Sequence, residues 1–212
     1  MPVIALLGNK GGAGKTTLAI NLACGLNRRQ PTVLLDADPQ RSALQWREIA
    51  GEGAAYELVE VFDAVDQSAQ IVARYRDQYE VVVIDCPPSI DAKQTRQALV
   101  SCDTALIPVL PSPLDLWATA HIEKKLDAGR DPNADLRVLL VINQLEPRTR
   151  LSKLVGSVVS EVGLPVANTV IKRRVAYRNA ILQGRSILDE GAAAKDAAAE
   201  IQQLIDELVD GP

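Results

Sequence analysis

Residues 8–17 read Gly-Asn-Lys-Gly-Gly-Ala-Gly-Lys-Thr-Thr and directly follow a short apolar run, Val3–Leu7. The glycines let the backbone curl so that successive N–H groups point inward and cradle an anion. A helix that begins near Lys15 adds its positive end to this cradle. Lys15 can bridge the β- and γ-phosphates of a nucleotide, and the Thr16 hydroxyl can bind Mg²⁺. The stretch therefore predicts a site for a nucleoside triphosphate and its metal, formed by Gly11, Gly12, Ala13, Gly14, Lys15, Thr16 and Thr17.

The whole chain has the composition of a compact α/β protein. Of its 212 residues, 47% are apolar, 24% are charged and only 3% are aromatic, so the core must be built from aliphatic side chains. Such a core is typical of a parallel sheet that helices cover on both faces. No apolar run reaches the ~20 residues needed to cross a bilayer, and no basic-then-apolar leader precedes the first strand. We expect one domain over residues 1–212, located in the cytoplasm.

Short apolar runs alternate with longer stretches of helical spacing along the chain. This alternation predicts parallel βαβ units and a doubly wound, mainly parallel sheet. The last stretch, about residues 190–209, carries apolar side chains at three- and four-residue spacing, which predicts an amphipathic helix. The predicted strands are Val3–Leu7, Thr32–Asp36, Val81–Asp85, Leu136–Ile142 and, with weaker patterns, Thr104–Val109 and Pro165–Val170; the other predicted helices are Lys15–Arg29, Asp63–Tyr79, Asp91–Ser101, Leu114–Ala128 and Leu151–Val162.

Cysteine and histidine chemistry is disfavoured by the number and spacing of these residues. Cys24, Cys86 and Cys102 show no CxxC spacing, which argues against a disulfide framework and against a zinc site. We expect each cysteine to pack as a small apolar side chain. The single histidine, His121, cannot form a catalytic triad or a metal cluster on its own.

Acidic side chains end two further predicted strands. Asp85 ends the run Val81–Asp85, where it can hold Mg²⁺ through a water. Asp36 and Asp38 lie two residues apart at the end of another run, so in an extended chain they share one side. Ligands of an open parallel sheet bind outside the carboxyl ends of its strands. We therefore expect these carboxylates to gather at the phosphate cradle, with capping of the next helix as the alternative role of Asp36 or Asp38.

Two residues depart from the common form of the phosphate-binding loop. Asn9 stands where that pattern has glycine, and Lys10 adds a second lysine directly before the Gly-Gly pair. Lys10 cannot easily reach the phosphates in its own loop, but it could project across a dimer interface towards the nucleotide of a partner. The loop resembles the deviant P-loop of the ParA/MinD family of ATPases.

This resemblance runs in order from residue 3 to about residue 190. Residues 33–40, Val-Leu-Leu-Asp-Ala-Asp-Pro-Gln, are similar to the second acidic motif of the family. Residues 81–89, Val-Val-Val-Ile-Asp-Cys-Pro-Pro-Ser, are similar to its Walker B strand. Residues 111–115, Pro-Ser-Pro-Leu-Asp, are similar to the proline-containing segment of small plasmid partition ATPases of the ParF type.

The resemblance implies ATP and Mg²⁺ as cofactors and an ATP-bound homodimer that holds two nucleotides between its subunits. Lys10 would reach the phosphates of the partner, Asp38 would orient the attacking water, and Asp36 would support the metal shell. Asn143 would hydrogen-bond adenine, although an Asn at this position can equally well end a strand. Residues 111–115 would serve the nucleotide or the dimer face, or would simply connect a strand to a helix.

Charge is distributed unevenly along a chain whose formal net charge is −4. Basic residues dominate positions 148–185, and acidic residues dominate the end of the chain. Cations that neutralise phosphates supply most non-specific DNA affinity, and few aromatics are present for base stacking. We therefore predict non-specific duplex binding, with a plain solvated basic surface as the alternative. An acidic terminal helix argues against anionic membranes. The predicted DNA-binding residues are Arg148, Arg150, Lys153, Lys172, Arg173, Arg174 and Arg178.

The favoured hypothesis is a nucleoid-associated partition ATPase of the ParA type that segregates plasmid or chromosome cargo. A ParB-like protein or another cargo adaptor would stimulate its slow hydrolysis. The first alternative is a relative that positions carboxysomes, as McdA does, or chemoreceptor clusters. A more distant alternative is a metabolic P-loop kinase or synthetase, which gives Lys10 and the basic segment no role. An interaction module with an inactive nucleotide site is disfavoured because Lys15, Thr16, Asp38 and Asp85 are all present.

Overall fold

A computed structural model of the chain describes residues 2–51, 59–66, 68–75, 77–112, 115, 133, 135–147 and 163–210. Its strands are β1 (Val3–Leu6), β2 (Thr32–Asp36), β3 (Glu60–Asp63), β4 (Val81–Asp85), β5 (Thr104–Val109) and β6 (Arg137–Ile142). They form one sheet in the order β3-β2-β4-β1-β5-β6, and the neighbouring strands pair in parallel. The doubly wound parallel sheet predicted from the sequence is therefore confirmed.

Helices follow the strands in the order expected of this architecture. In the described part of the chain they are α1 (Lys15–Asn27), α2 (Ser42–Ala50), α3 (Ser68–Tyr75), α4 (Lys93–Ser101), α5 (Val175–Leu182) and α6 (Lys195–Asp210). Two short 3₁₀ turns, Ile187–Asp189 and Gly191–Ala194, precede α6. The predicted helices Leu114–Ala128 and Leu151–Val162 lie outside the described residues, except for Asp115, and so does His121.

The strands other than β3 are buried on both faces, because their alternate side chains enter two different cores. On β1, Ile4 and Leu6 join a core that also contains side chains of α1, α2, α5 and α6. Val3 and Ala5 join the opposite core, which contains side chains of α3 and α4. This two-sided burial explains why the strands read as continuous aliphatic runs.

The cysteines belong to these cores. Cys24, Cys86 and Cys102 are buried and unbonded to one another, which confirms that they pack as small apolar side chains. Burial raises the pKa of the Cys24 thiol to about 12, with a further increase from Asp189. The thiol is therefore protonated and unreactive at neutral pH.

Four elements differ from the sequence-based expectation, and one of them is α5 (Val175–Leu182), which is not among the predicted helices. The pattern does not predict β3, since Glu60–Asp63 is a four-residue edge strand of mixed polarity; the helix predicted from residue 63 accordingly begins only at Ser68. The pattern also misses α2, because this helix buries only Ala43 and Trp46. The predicted strand at 165–170 is reduced to an isolated bridge of Val166 with Leu140, next to a proline that has no N–H to donate.

The register of the sheet brings the predicted acidic residues to one edge. Asp85 at the end of β4 lies beside Leu6 of β1 on one side and beside Asp36 of β2 on the other. The loop between β1 and α1 leaves the sheet at this edge, and so does the chain after β6. The fold therefore collects the polar ends of four strands around the start of α1.

The terminal helix α6 packs on the body of the protein. Its apolar side chains Ile201, Leu204 and Ile205 are fully buried in the same core as α1. The predicted amphipathic helix is thus present, with its first turns in 3₁₀ form. No helix in the described part of the chain is both long and apolar enough to span a membrane.

Candidate nucleotide-binding site

The glycine-rich loop after β1 adopts a conformation that requires glycine at two positions. Gly12 and Gly14 have φ angles of 79° and 87°, in the left-handed region that side chains disfavour. Gly14 forms the N-cap of α1, and its carbonyl accepts the N–H of Leu18 at 3.0 Å. The first turn of α1, which begins with Lys15, thus opens directly from the loop, and its free N–H groups face an incoming anion.

Two side chains that follow β6 fix the orientation of this loop. Asn143 Nδ2 donates to the carbonyl of Ala13 at 2.7 Å, and Gln144 Nε2 donates to the carbonyl of Gly12 at 2.8 Å. Because these carbonyls are held towards β6, the N–H groups of the same stretch are free to face the other way. A Cβ atom on Gly14 would lie 2.4 Å from Asn143 Nδ2, so this close approach depends on glycine.

Lys15 is the buried cation of the site. Its side chain reaches back across the loop, where Nζ donates to the carbonyl of Lys10 at 3.2 Å. Burial lowers the pKa of Lys15, while Asp85 and Asp38 oppose that shift. Lys15 therefore interacts electrostatically with both carboxylates.

Asp85 is the least well compensated charge of the site. The residue is fully buried, and neither carboxylate oxygen has a hydrogen-bond partner of good geometry among the described residues. Burial raises its pKa to about 7, although the nearby Thr16 hydroxyl and Lys15 counteract the increase. An unpartnered buried carboxylate is costly, and an Mg²⁺ ion beside Thr16 would satisfy it.

The residues around Asp85 fit Mg²⁺ rather than a metal held by protein ligands alone. Within the described residues, no group of three or more His, Cys, Asp or Glu side chains is placed to hold a metal. Mg²⁺ typically uses one or two protein ligands together with waters and substrate phosphates. Asp85 and Thr16 beside a phosphate cradle match this pattern.

Asp36 and Asp38, unlike Asp85, accept hydrogen bonds from backbone N–H groups of the described residues. Asp36 is fully buried, and its oxygens accept the N–H groups of Asp38, Ala43 and Leu44 at 2.9–3.2 Å. Burial raises the pKa of Asp36, and these hydrogen bonds partly offset the increase. Asp36 thus caps α2, which is the alternative role predicted for it. Asp38 is half-buried and accepts the N–H of Gln40 at 2.9 Å.

Lys10 is held by an acidic residue of its own chain. Its Nζ atom lies 2.5 Å from Asp115 Oδ1, and the Lys10 side chain is 52% exposed. Burial alone would raise the pKa of Asp115, but hydrogen bonds from Lys10 and Ser112 bring it below its usual value. The pair lies at the rim of the cradle, so the exposed Lys10 can exchange this partner for another anion.

A cavity of about 480 Å³ opens beside the phosphate cradle. The residues that line it include Gly14 and Thr17 at the start of α1, Asn143 and Gln144 after β6, and residues 171–174, which are called the cavity wall below. A nucleotide with its phosphates in the cradle would extend its sugar and base into this space. The volume is in the range of small-molecule sites.

The sequence profile described as CbiA, the CobQ/CobB/MinD/ParA nucleotide binding domain, matches residues 4–187. The chain belongs to this family. The family match confirms the predicted resemblance and the class of P-loop ATPase of the ParA/MinD type.

Individual members of the family differ in their similarity to this ATPase. Maintenance of carboxysome distribution protein A (McdA) from Halothiobacillus neapolitanus is 37% identical over 206 residues, covering 97% of this chain and 95% of that protein. Protein ParA from Rhizobium radiobacter is 29% identical over 182 residues, covering 84% of this chain and 81% of that protein. Cobyrinic acid a,c-diamide synthase from Mycobacterium smegmatis, solved with an ATP analogue and magnesium, has a TM-score of 0.76 at 18% identity, covering 100% of this chain and 97% of that one; this likeness concerns the fold.

The basic residues predicted to bind DNA occupy different settings in this ATPase. Arg148, Arg150 and Lys153 lie outside the described residues. Lys172 and Arg174 both pair with the buried carboxylate of Glu200, at 3.4 and 2.7 Å. The exposed Arg173 pairs with Glu146, and Arg178 is exposed. Residues 172–174 and Arg178 also line the cavity, so the predicted basic patch and the nucleotide site overlap.

Sequence reasoning misses the contribution of Gln144 to the site. Its backbone has a φ angle of 58°, which is uncommon for a residue other than glycine, and this conformation accompanies its bond to Gly12. The polar residues Asn143 and Gln144 directly after β6 can be recognised in the sequence, but they predict only the end of a strand or a contact with the base. The direct contact of Asn143 is with the loop carbonyl, and its contact with adenine remains a prediction.

We expect Asp85→Asn to stabilise the nucleotide-free protein above pH 7. The raised pKa means that the folded state binds more protons than the unfolded state between about pH 4 and pH 7, so stability falls as the pH rises through this window. The asparagine variant should lack that decrease and exceed the wild type by a few kcal/mol at pH 8. Urea unfolding at several pH values measures this, with the exposed Asp66→Asn as the control.

The same pair of proteins tests the metal site. Mg²⁺ with ATP should stabilise the wild type strongly and Asp85→Asn weakly, because asparagine is a poorer ligand than a carboxylate. Identical pH dependence in the two proteins, or equal stabilisation by Mg²⁺ and ATP, would contradict the assignment of Asp85.

Proposed function

We propose that this ATPase positions a protein compartment, as McdA does, by an ATP-dependent cycle of dimerisation and DNA binding. The observation that carries the proposal is its 37% identity to a carboxysome distribution protein along nearly the full length of both chains. Protein ParA from Rhizobium radiobacter is less similar, at 29% identity, and aligns over 84% of this chain. The cargo-positioning alternative therefore has better support than the plasmid or chromosome cargo that the sequence alone favours.

The proposed binding mode follows from the geometry of the cradle. The phosphates of ATP lie on the N–H groups of residues 11–16, with Lys15 beside the β- and γ-phosphates. Thr16 and Asp85 hold Mg²⁺, which neutralises charge on the phosphate oxygens when it is bound. Asp38 uses its Oδ1 atom to accept the N–H of Gln40, and we assign its other oxygen to orienting the attacking water. Asp36 then supports the site by fixing α2 and the backbone of Asp38.

Lys10 provides the link between nucleotide binding and dimerisation in this proposal. In the single chain its charge is neutralised by Asp115 across the rim of the cradle. The γ-phosphate of a nucleotide bound to a second subunit offers a stronger anion at the same rim. Because exposed ion pairs contribute only ~0.2–1 kcal/mol, the exchange of Asp115 for phosphate costs little. ATP, but not ADP, would therefore favour a homodimer.

We expect ATP to convert the wild type from monomer to dimer, as measured by analytical ultracentrifugation. Asp38→Ala should accumulate the dimer because hydrolysis stops, whereas Lys10→Ala should bind ATP without dimerising or hydrolysing it. Asp115→Asn should lower the dissociation constant of the ATP-bound dimer by about two- to fivefold, because it releases Lys10 from its ion pair. Lys15→Gln, which should not bind nucleotide, is the control. An oligomeric state that does not respond to ATP in any of these proteins would contradict the proposed cycle.

We further propose that the dimer binds duplex DNA through the basic residues of this region other than Lys172 and Arg174, the two that Glu200 holds. Lys172 and Arg174 share that single carboxylate, which holds both side chains and neutralises one of their two charges, so together they contribute less to phosphate binding than two cations outside this cluster. Arg173 forms an exposed pair with Glu146, which can open at small cost. The residues assigned to DNA are therefore Arg148, Arg150, Lys153, Arg173 and Arg178, and nucleoid association follows from this assignment.

Replacing Arg148, Arg150 and Lys153 together with alanine should weaken DNA binding while leaving ATP affinity unchanged. Loss of three phosphate contacts should reduce the slope of log affinity against log salt by roughly 3. The matched variant, Lys172→Ala with Arg174→Ala, should change the slope much less. Fluorescence anisotropy with duplex DNA at several salt concentrations measures both. Equal changes in the two variants would contradict this division of the basic residues.

The cargo is identified by the partner that the ATP-bound protein captures. We expect Asp38→Ala with ATP to retain an adaptor of a protein compartment from an extract of the native cells, and Lys15→Gln to retain none. Capture of a protein that binds a specific DNA site would instead favour plasmid or chromosome partition. A metabolic synthetase predicts a third result, ATP turnover that needs a small acceptor and responds neither to DNA nor to a partner.

A further inference from the structure

Glu200 is a buried carboxylate of α6 that holds one wall of the nucleotide cavity. The residue is only 6% exposed. Its Oε2 atom accepts the backbone N–H of Lys172 at 3.1 Å, and its Oε1 atom accepts Arg174 Nη2 at 2.7 Å. Lys172 Nζ approaches the same Oε1 atom to 3.4 Å. One side chain thus binds both the backbone and the charged ends of a segment that lies 26–28 residues earlier in the sequence.

The segment held by Glu200 lines the cavity beside the phosphate cradle. Residues 171–174 line that cavity together with Gly14 and Thr17. On its other side, the segment is tied to Leu145, whose N–H donates to Ile171 and whose carbonyl accepts the N–H of Arg173. The wall is therefore fixed between the chain that leaves β6 and the carboxylate of α6. Removal of either attachment would allow the wall to shift relative to the cradle.

Charge pairing strengthens the attachment of residues 172–174 to the Glu200 carboxylate. Two cations lie against one buried anion, and charge-assisted hydrogen bonds of this kind are stronger than neutral ones. Only Glu200 is buried in this cluster, since the Lys172 and Arg174 side chains are 46% and 28% exposed; loss of its carboxylate removes the acceptor of both side chains and of the Lys172 N–H, and water can replace it only in part. The wall position is thus sensitive to Glu200, although Glu200 is absent from the residues that line the cavity.

We propose that Glu200 is a positioning residue for nucleotide binding, acting on the sugar and base through residues 172–174. This inference rests on the part of the proposed function that places ATP in the cavity, and it is independent of dimerisation, DNA and cargo. The phosphates bind the cradle, which Glu200 does not touch. Glu200 therefore contributes to the affinity for the nucleoside part of ATP and leaves phosphate binding unchanged.

The helix α6 supplies a matched control two turns further on. Glu207 accepts the N–H groups of Asn168 and Thr169 at 2.7 and 3.0 Å. These hydrogen bonds hold the pKa of Glu207 below its usual value against the opposing effect of its burial. Glu207 thus attaches the neighbouring residues 168–169 to the same helix, and these residues do not line the cavity. Glu207→Gln removes the same charge from the same helix without acting on the wall.

The test compares the affinities for ATP and for tripolyphosphate, both with Mg²⁺, in Glu200→Gln and Glu207→Gln. The quantity compared is the dissociation constant for ATP divided by that for tripolyphosphate. This ratio cancels the general effect of removing one negative charge, which acts on both ligands. We expect this ratio to rise about tenfold in Glu200→Gln, which corresponds to the loss of a charge-assisted hydrogen bond, and to stay unchanged in Glu207→Gln. The turnover rate at saturating ATP should change much less than KM in Glu200→Gln.

An unchanged ratio in Glu200→Gln, or an equal rise in both variants, would overturn the proposal. If Glu200→Gln does not fold, Glu200→Asp replaces it; the shorter carboxylate should raise the ratio by a smaller factor, and an unchanged ratio would again overturn the proposal. A wild type that binds ATP no more tightly than tripolyphosphate would instead contradict the placement of ATP in the cavity. A wild type that binds ATP but does not dimerise would contradict the proposed function alone.

Discussion

The buried carboxylate of Asp85 is the constraint around which the site is organised. A charged group in a core needs a partner, and the parallel register places Asp85 next to a second buried acid, Asp36, rather than next to a base. The two carboxylates differ in the hydrogen bonds that they receive. Asp36 receives three backbone N–H groups, whereas neither oxygen of Asp85 has a hydrogen-bond partner of good geometry in the described part of the chain. The site is therefore preorganised for a cation, at a cost in stability that the ligand can recover.

The phosphate cradle and much of the sheet can be predicted because they depend on local sequence. Gly12 and Gly14 are needed for a particular backbone conformation, and Asp85 follows an aliphatic run that is typical of a buried strand. α2 and β3 cannot be predicted in this way, since their stability comes from tertiary packing of a few residues such as Trp46 rather than from a periodic pattern. The role of Gln144 is equally hidden, because it depends on a contact with Gly12 across 132 residues.

The basic segment shows why a count of charges along the sequence is a weak guide to a binding surface. Lys172, Arg173 and Arg174 are consecutive and look equivalent. In the structure, two of them share Glu200, and the third forms an exposed pair with Glu146. The partner that Lys172 and Arg174 share belongs to the acidic terminal segment, which looks like a separate block in the sequence. Charge blocks that are distant in sequence can thus partly cancel in space, and the cations outside such clusters are more readily available for phosphates.

This cancellation also gives the terminal helix a role that its amphipathic pattern does not reveal. The apolar face of α6, which carries Ile201, Leu204 and Ile205, lies in the same core as α1 and explains why the helix docks there. Docking alone would be satisfied by any small polar residue at position 200. A buried glutamate there costs desolvation energy, which is offset by its bonds to Lys172 and Arg174. Because those residues form the cavity wall, the position of α6 and the shape of the nucleotide site are coupled, and a partner that displaced α6 would alter nucleotide affinity without touching the cradle.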